Sequence, residues 1–280
     1  LKKRFIMIDV NCYICGSKKR KKILTQSGTD KYINLLDIRN KNNFRNWFIC
    51  LDCGFIYRSP VLKESDIRKM YNRYDINVIN GDEDKYFYKI LNLPKSKSEN
   101  YQKCMWFEKN IKKFFNNQCK PSLLDVGCGS GLFLASAKKN TSINKFYGIE
   151  PNKRMRQIAK SKNRCLIFKS FDEVKQKFNS ITILKVLEHI KNPRDFLKKT
   201  SSRLEKKGII FIEVPDVIDF INLKSNDPRF FIPHIYYYNL PSLKKLLSEL
   251  KLNIFSHRTI ISKSGRSFLQ IIAGNFKNEK

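Results

Sequence analysis

The 280 residues carry 56 Lys and Arg against 25 Asp and Glu, a formal charge of +31, with 41% hydrophobic and 12% aromatic residues. That much apolar material excludes a disordered chain, and no run approaches the roughly 20 apolar residues of a membrane-crossing helix. Eight cysteines, unevenly spaced, exclude a disulfide-stapled scaffold and point to metal or redox chemistry in a reducing compartment, so the cytoplasm is the expected location.

The length suffices for one full-sized core and a small satellite module. Lys outnumbers Arg 41 to 15 and is spread along the whole chain. Arg is the better residue for bidentate phosphate and base contacts, so the excess charge reads mainly as surface composition. Nucleic acid is therefore the second choice of partner, although any anion should associate fast and salt-sensitively. The first residues, Leu1–Ile8, join basic residues to an apolar run too short for a secretion signal. The first residue is not Met, so the natural start is expected upstream. Nothing in the pattern speaks to oligomeric state.

In chain order, Cys12-Tyr13-Ile14-Cys15-Gly16 and Cys50-Leu51-Asp52-Cys53-Gly54 frame strand-like pieces at 32–36 and 47–49, and 55–57 follows. A polar, helix-prone segment covers 65–74. Residues 75–100, rich in Asn, Asp and Lys, read as a linker or cover. A helix is predicted over about 101–115 from the spacing of Met105, Ile111, Phe114 and Phe115. From Ser122 strands alternate with helices: strands at 123–126, 145–149, 165–168, 180–184 and 208–214, helices at 131–139, 153–161 and 193–204. A last helix at 242–250 precedes strands at 253–261 and 267–274, which Ser264-Gly265 should turn into an antiparallel pair. The pattern predicts an α/β, doubly wound, mostly parallel sheet with an antiparallel final strand, preceded by a small zinc-ribbon-like module. The expected units are a module at 1–74, a linker or cover at 75–100 and an α/β domain at 101–280.

The two C-x-x-C-G knuckles supply four thiolates, the donor set of a closed, tetrahedral, structural zinc site at Cys12, Cys15, Cys50 and Cys53. The 34 residues between the pairs need only lengthen the loop between knuckles. A thioredoxin-like redox motif would leave the duplication unexplained.

The chemistry of the larger domain starts at Leu123-Leu124-Asp125-Val126-Gly127-Cys128-Gly129-Ser130-Gly131, where a strand turns into a helix. Three glycines let the backbone turn and approach a ligand closely. Glu150, ending the next strand, stands where a carboxylate can bind two ribose hydroxyls. The glycine spacing is not that of a dinucleotide fingerprint, and Asp125 suits a cationic ligand end better than a phosphate.

The run 124–131 resembles the first motif of class I S-adenosylmethionine-dependent methyltransferases. The resemblance continues through Gly148-Ile149-Glu150-Pro151, Ser170-Phe171-Asp172 and Val186-Leu187-Glu188-His189-Ile190, and covers essentially 101–274. It implies S-adenosylmethionine as cofactor, held by Asp125, Gly127, Cys128, Gly129, Gly131, Glu150, Pro151, Ser170, Phe171 and Lys185. The cysteine pattern with Phe55-Ile56-Tyr57 and Pro60 is similar to the N-terminal module of bacterial methyltransferases associated with sugar or polysaccharide modification. His189, after the fourth strand, and His234, after the fifth, are the candidate bases. The segment around His234 resembles the His-Glu-His motif of sugar C-methyltransferases, but Ile232 and Pro233 replace its first two residues. Methylation of oxygen or nitrogen on a small-molecule or sugar-like acceptor is therefore expected over carbon methylation. An RNA methyltransferase and a non-catalytic, zinc-bearing interaction protein are the rival readings.

Overall fold

The structure is a computed structural model and describes residues 7–26, 45–67, 82–112, 114, 120–221, 223–227, 230 and 233–276. The strand expected at 32–36, the helix residues 68–74, Phe115 and Ile232 lie outside the described residues.

Strands β6 (Ser122–Val126), β7 (Lys145–Ile149), β8 (Leu166–Phe168), β9 (Phe178–Leu184), β10 (Leu204–Pro215), β12 (Asn253–Ile261) and β13 (Ser267–Gly274) form one sheet in the order β12-β13-β10-β9-β6-β7-β8. The five strands from β6 to β10 pair in parallel; β13 pairs antiparallel with β10 and β12. This is a Rossmann-like, mostly parallel sheet, as the alternation predicts. The chain runs outward from β6 to β7 and β8, then crosses back to β9, so strand order reverses beside β6. Ligands bind at such a switch point, outside the carboxyl ends of the strands.

Alternating residues of the central strands bury against helices on opposite faces. Leu123, Ile209 and Phe211 pack with Cys104, Phe107 and Ile111 of α2 (Glu99–Ile111) and with Phe133, Leu134 and Ala137 of α3 (Leu132–Asn140). Leu124, Ile181, Ile210 and Ile212 pack with Leu197 of α5 (Pro193–Ser201) and with Leu243, Leu246 and Leu247 of α7 (Leu240–Glu249), which follows the short α6 (Val217–Ile221). Strands buried on both faces read as continuous apolar runs, which is how 209–212 reads. A polar residue inside such a strand is correspondingly informative.

Residues 82–100 are more ordered than a linker. Helix α1 (Glu83–Leu91) starts at Asp82, whose side chain accepts from Asp84 N (3.0 Å) and Lys85 N (3.2 Å). It lies on α3 and is tied to α4 (Lys153–Asn163) by Lys162–Asp84 (2.7 Å) and Arg154–Glu83 (3.8 Å), with Phe87 buried beneath. Its polar composition follows from needing only one apolar anchor at a cover position.

The cysteine-bearing segment forms an antiparallel sheet of β2 (Arg20–Gln26), β3 (Arg45–Cys50) and β4 (Ile56–Ser59). Its fourth strand comes from the far end of the chain: β11 (Tyr236–Tyr237) pairs with β4, Tyr236 opposite Tyr57 and Tyr237 opposite Ile56. Phe55, Tyr57, Tyr236 and Tyr238 are all buried in the same core as the helices α5 and α7. The two parts thus share a sheet and a core. A separate two-stranded ribbon pairs β1 (Met7–Ile8) with β5 (Val61–Leu62).

Gly131 begins α3 with φ +82°, and a Cβ there would lie 3.3 Å from the Ala159 backbone and 2.2 Å from the Asn163 amide. Left-handed strain and this crowding should make Gly131→Ala cost about 1–3 kcal/mol. Denaturant melting checks it; a parental midpoint would contradict the crowding.

Candidate cofactor and acceptor site

The loop after β6 crosses the carboxyl edge of the sheet. Gly127 N and Cys128 N both donate to Ile149 O, at 2.8 and 3.0 Å, which pins the loop to the tip of β7. Gly127 takes φ +73°, and a Cβ there would come within 2.6 Å of Val186 Cγ2. Gly129, at φ +55°, has only Met155 Cε nearby, at 3.8 Å, so its face stays open. Cys128 is buried against Gly148, where a Cβ would meet its sulfur at 2.8 Å. A bare backbone bend results, one side of it free for a ligand.

Two carboxylates border this bend. Asp125 is 3% exposed and accepts from Thr182 Oγ1 at 2.7 Å, its direct neighbour across β9. Burial pushes its carboxyl up to about 7, although the Thr182 hydrogen bond opposes this. Glu150 accepts from Gly129 N (2.9 Å) and Asn152 N (2.8 Å), so it is anchored to the glycine loop itself; burial raises its pKa too. Arg156 donates to the carbonyls of Glu150 (2.7 Å) and Pro151 (2.9 Å), stiffening the segment. Both carboxylates gain from a cation or from hydroxyl donors placed between them.

The other expected cofactor residues fall around this edge. Ser170 Oγ accepts from Asp172 N at 3.3 Å and opens a short turn after β8. Phe171 is itself buried, edge-on to Phe196 with centroids 5.8 Å apart, so its ring is chiefly core. Lys185 adopts φ +59° after β9, with Nζ 3.6 Å from Glu99 and 3.8 Å from Glu213. Sequence reasoning missed Lys103 of α2, whose buried ammonium lies 2.7 Å from the Glu213 carboxylate. The signal was there: Lys103 holds an apolar-face position, four and eight residues before Phe107 and Ile111.

Beyond Val186, three side chains converge. His189 Nδ1 faces Pro233 O at 3.1 Å; the carbonyl can only accept, so Nδ1 carries the proton. The His189 and His234 rings lie 4.7 Å apart, and each Nε2 stands 3.9 Å from Glu188 Oε1. Glu188 is 1% exposed and burial pushes it up to about 8, while burial takes His189 down to about 4 and His234 well below its usual value. Both expected histidines are thus brought together, and Glu188, quoted within its motif but given no role, joins them. The tyrosines 236–238 are core; Tyr236 OH donates to Lys191 O (2.7 Å) and Tyr238 OH to Leu187 O (3.3 Å). His257 stands exposed on β12.

The four knuckle cysteines form a separate cluster. Their sulfurs all lie within 4.8 Å of one another, with Cys12–Cys53 and Cys15–Cys50 at 3.5 Å. Zinc–sulfur bonds of about 2.3 Å imply tetrahedral edges of roughly 3.8 Å, so the set fits a zinc ion. Gly16 and Gly54, both at positive φ, donate their N–H groups to the carbonyls of Cys12 (2.7 Å) and Cys50 (2.9 Å), closing each knuckle. Burial raises the Cys12 thiol well above its usual range and Cys53 to about 11, a cost that a cation bound to the thiolates removes.

A carboxylate-bordered glycine bend at the switch point of this sheet is what a class I, S-adenosylmethionine-dependent methyltransferase domain carries. Residues 98–257 match the family model described as a methyltransferase domain, and the chain belongs to that family. It is similar to the mitochondrial ubiquinone biosynthesis O-methyltransferase of Saccharomyces cerevisiae, 28% identical over 43% of this chain and 41% of that one. It is also similar to the ubiquinone biosynthesis O-methyltransferase of Pelagibacter ubique, 30% identical over 32% of this chain and 40% of that one. The chain thus spans about two fifths of the length of these curated relatives. Among solved structures, the magnesium protoporphyrin IX methyltransferase of Synechocystis shares the fold with a TM-score of 0.54 at 13% identity, covering 76% of this chain and 100% of that one. An S-adenosylmethionine-dependent methyltransferase of Clostridium acetobutylicum does so with a TM-score of 0.53 at 14% identity, covering 68% and 98%.

Asp125→Ala and Glu150→Ala should each weaken S-adenosylmethionine binding about 10- to 100-fold without unfolding the protein. Calorimetric titration checks this, and unchanged affinity would refute the pocket. The ionised Asp125 attracts the cofactor's ammonium group and the protonated form does not, so affinity should rise with pH through about 7. Asp125→Asn should flatten that rise. Metal analysis should find about one zinc per chain at the cysteine cluster, lost when Cys50 and Cys53 are changed to Ser.

Proposed function

We propose that the protein transfers the methyl group of S-adenosylmethionine to an oxygen of a small-molecule acceptor. The observation that carries this reading is the convergence of Glu188, His189 and His234 on the same sheet edge as the glycine bend, with Val186 between them. The sulfonium cofactor brings an already activated methyl group, which leaves the protein to position the acceptor and take up its proton. Asp125 and Glu150 hold the cofactor at its ammonium and ribose ends, assisted by the backbone of 127–131 and the segments at Pro151, Ser170 and Lys185. The acceptor hydroxyl meets the cluster, where the proton passes to Glu188 or to a neighbouring imidazole. Glu188 is the better-tuned acceptor: its pKa near 8 is closer to working pH than that of His189 near 4.

Oxygen is favoured over nitrogen because both curated relatives are named as O-methyltransferases. Those names support a small molecule and lend nothing to a sugar-like acceptor. The four-cysteine zinc site is read as structural, because four thiolates leave no open position. In this reading 1–74 is the metal module, 75–100 the cover and 101–280 the catalytic domain.

Incubation with labelled cofactor and panels of hydroxylated small molecules, nucleotide-sugars and RNA tests the assignment. The expected product is a methyl ether of a small molecule; label transferred only to RNA would overturn it. Glu188→Gln should lower kcat about 10²-fold or more with cofactor affinity retained. Wild-type kcat should rise as the pH passes about 8, when the Glu188 carboxyl ionises. A flat profile, or a Glu188→Gln enzyme at full rate, would remove Glu188 as proton acceptor.

A further inference from the structure

The geometry around Glu188 answers a need that a simple base does not have. With its proton on Nδ1, a neutral His189 ring turns the Nε2 lone pair toward Glu188 Oε1, and His234 Nε2 approaches the same oxygen. Both separations are 3.9 Å, too long for a shared proton. They come close to the spacing of donors around one ion: bonds of about 2.1 Å put neighbouring ligands roughly 3.0–3.4 Å apart. All three donor atoms lie within 4.8 Å of one another. Glu188 Oε2 is buried with no hydrogen-bond partner among the described residues.

The surroundings fix these donors as outer shells of metal sites do. Pro233 O sets the His189 tautomer, Ile235 N donates to Glu188 O at 3.0 Å, and Tyr238 OH donates to Leu187 O at 3.3 Å. Glu188 is 1% exposed while the His189 and His234 side chains keep 19% and 11%, so the cluster is closed on the carboxylate side and open on the imidazole side.

We infer that Glu188, His189 and His234 form a second metal centre, a two-histidine, one-carboxylate site for a divalent first-row transition ion. Two imidazoles and one carboxylate with open positions suit such ions. Magnesium and calcium favour all-oxygen shells, and the charges of Lys185, Arg58 and Arg266 disfavour any loosely held cation. The open positions face the acceptor, whose hydroxyl oxygen would become a ligand and so more acidic; with the ion bound, Glu188 and the imidazoles act as ligands, and the proton-accepting role proposed for Glu188 belongs to the metal-free protein. That role for the acceptor rests on the proposed function, whereas the affinity for the ion does not.

Cobalt(II) titration of the full chain, with the cysteine site already filled by zinc, tests the centre. One further equivalent should bind, showing weak ligand-field bands and no intense thiolate-to-metal charge transfer. His189→Ala and His234→Ala should each lose it by more than the roughly 10- to 100-fold typical of outer-shell changes, while keeping the zinc and the melting profile. Magnesium should not compete. Absence of a second equivalent in the wild type, thiolate bands alone, or undiminished cobalt binding in both variants would overturn the inference. Where a variant fails to fold, the wild-type spectrum decides. Acceptor methylation that persists without a second equivalent removes the centre and spares the proposed function; cobalt binding without any small-molecule methylation does the reverse.

Discussion

Between β6 and α3 the chain must bend where there is no room for a side chain. Val186 closes one side at Gly127, Ala159 and Asn163 close the other at Gly131, and the Ile149 carbonyl binds the loop from β7. Glycine is required at both points by left-handed φ as well as by crowding. The bend in turn decides what surrounds it. It brings Gly129 N onto Glu150, sets the Asp125 carboxylate beside the loop and leaves bare backbone facing outward. Burying two carboxylates is costly, and Asp125 shows that cost in its raised pKa. A ligand that is cationic at one end and rich in hydroxyls at the other relieves both at once.

The Glu188, His189 and His234 cluster depends on a different constraint, the reach of the N-terminal module. Ile235 N donates to Glu188 O, Ile235 O accepts from Arg58 N at 2.9 Å, and β11 then continues along β4. A short ladder of backbone hydrogen bonds thus runs from the knuckle strands to the main chain of Glu188, whose carboxylate stands near both histidines. Tyr13, Phe55, Tyr236 and Tyr238 fill the space between with mutual ring contacts. A metal at the cysteine cluster would make the module a stiff platform from which to hold His234 against Glu188. A closed cysteine site with no chemistry of its own would then serve the domain by fixing the strand that leads to His234.

Much of this could be read from residue order. The β12–β13 hairpin follows from its turn, and the glycine bend follows from three glycines between a strand and a helix. The pairing of β11 with β4 was not legible, because Tyr236-Tyr237 is too short to show a period and its partner lies about 180 residues away. Helix α1 hid behind a polar composition, since one buried Phe87 suffices at a cover position. Lys103 and Glu213 are charges on faces that the period marks as apolar, and only the fold shows that they neutralise each other. Glu188 was overlooked for a similar reason. In the run Val186–Ile190 the histidine draws attention, yet the carboxylate is the group that burial perturbs into a useful range.

The central claim is that the bend at 127–131, flanked by Asp125 and Glu150, holds S-adenosylmethionine. A crystal structure of the protein with S-adenosylhomocysteine tests it most directly. The ribose hydroxyls should meet the Glu150 carboxylate and the amino-acid end should lie over Gly127 beside Asp125. Density for the ligand elsewhere, or a bend filled by side chains, would contradict the account.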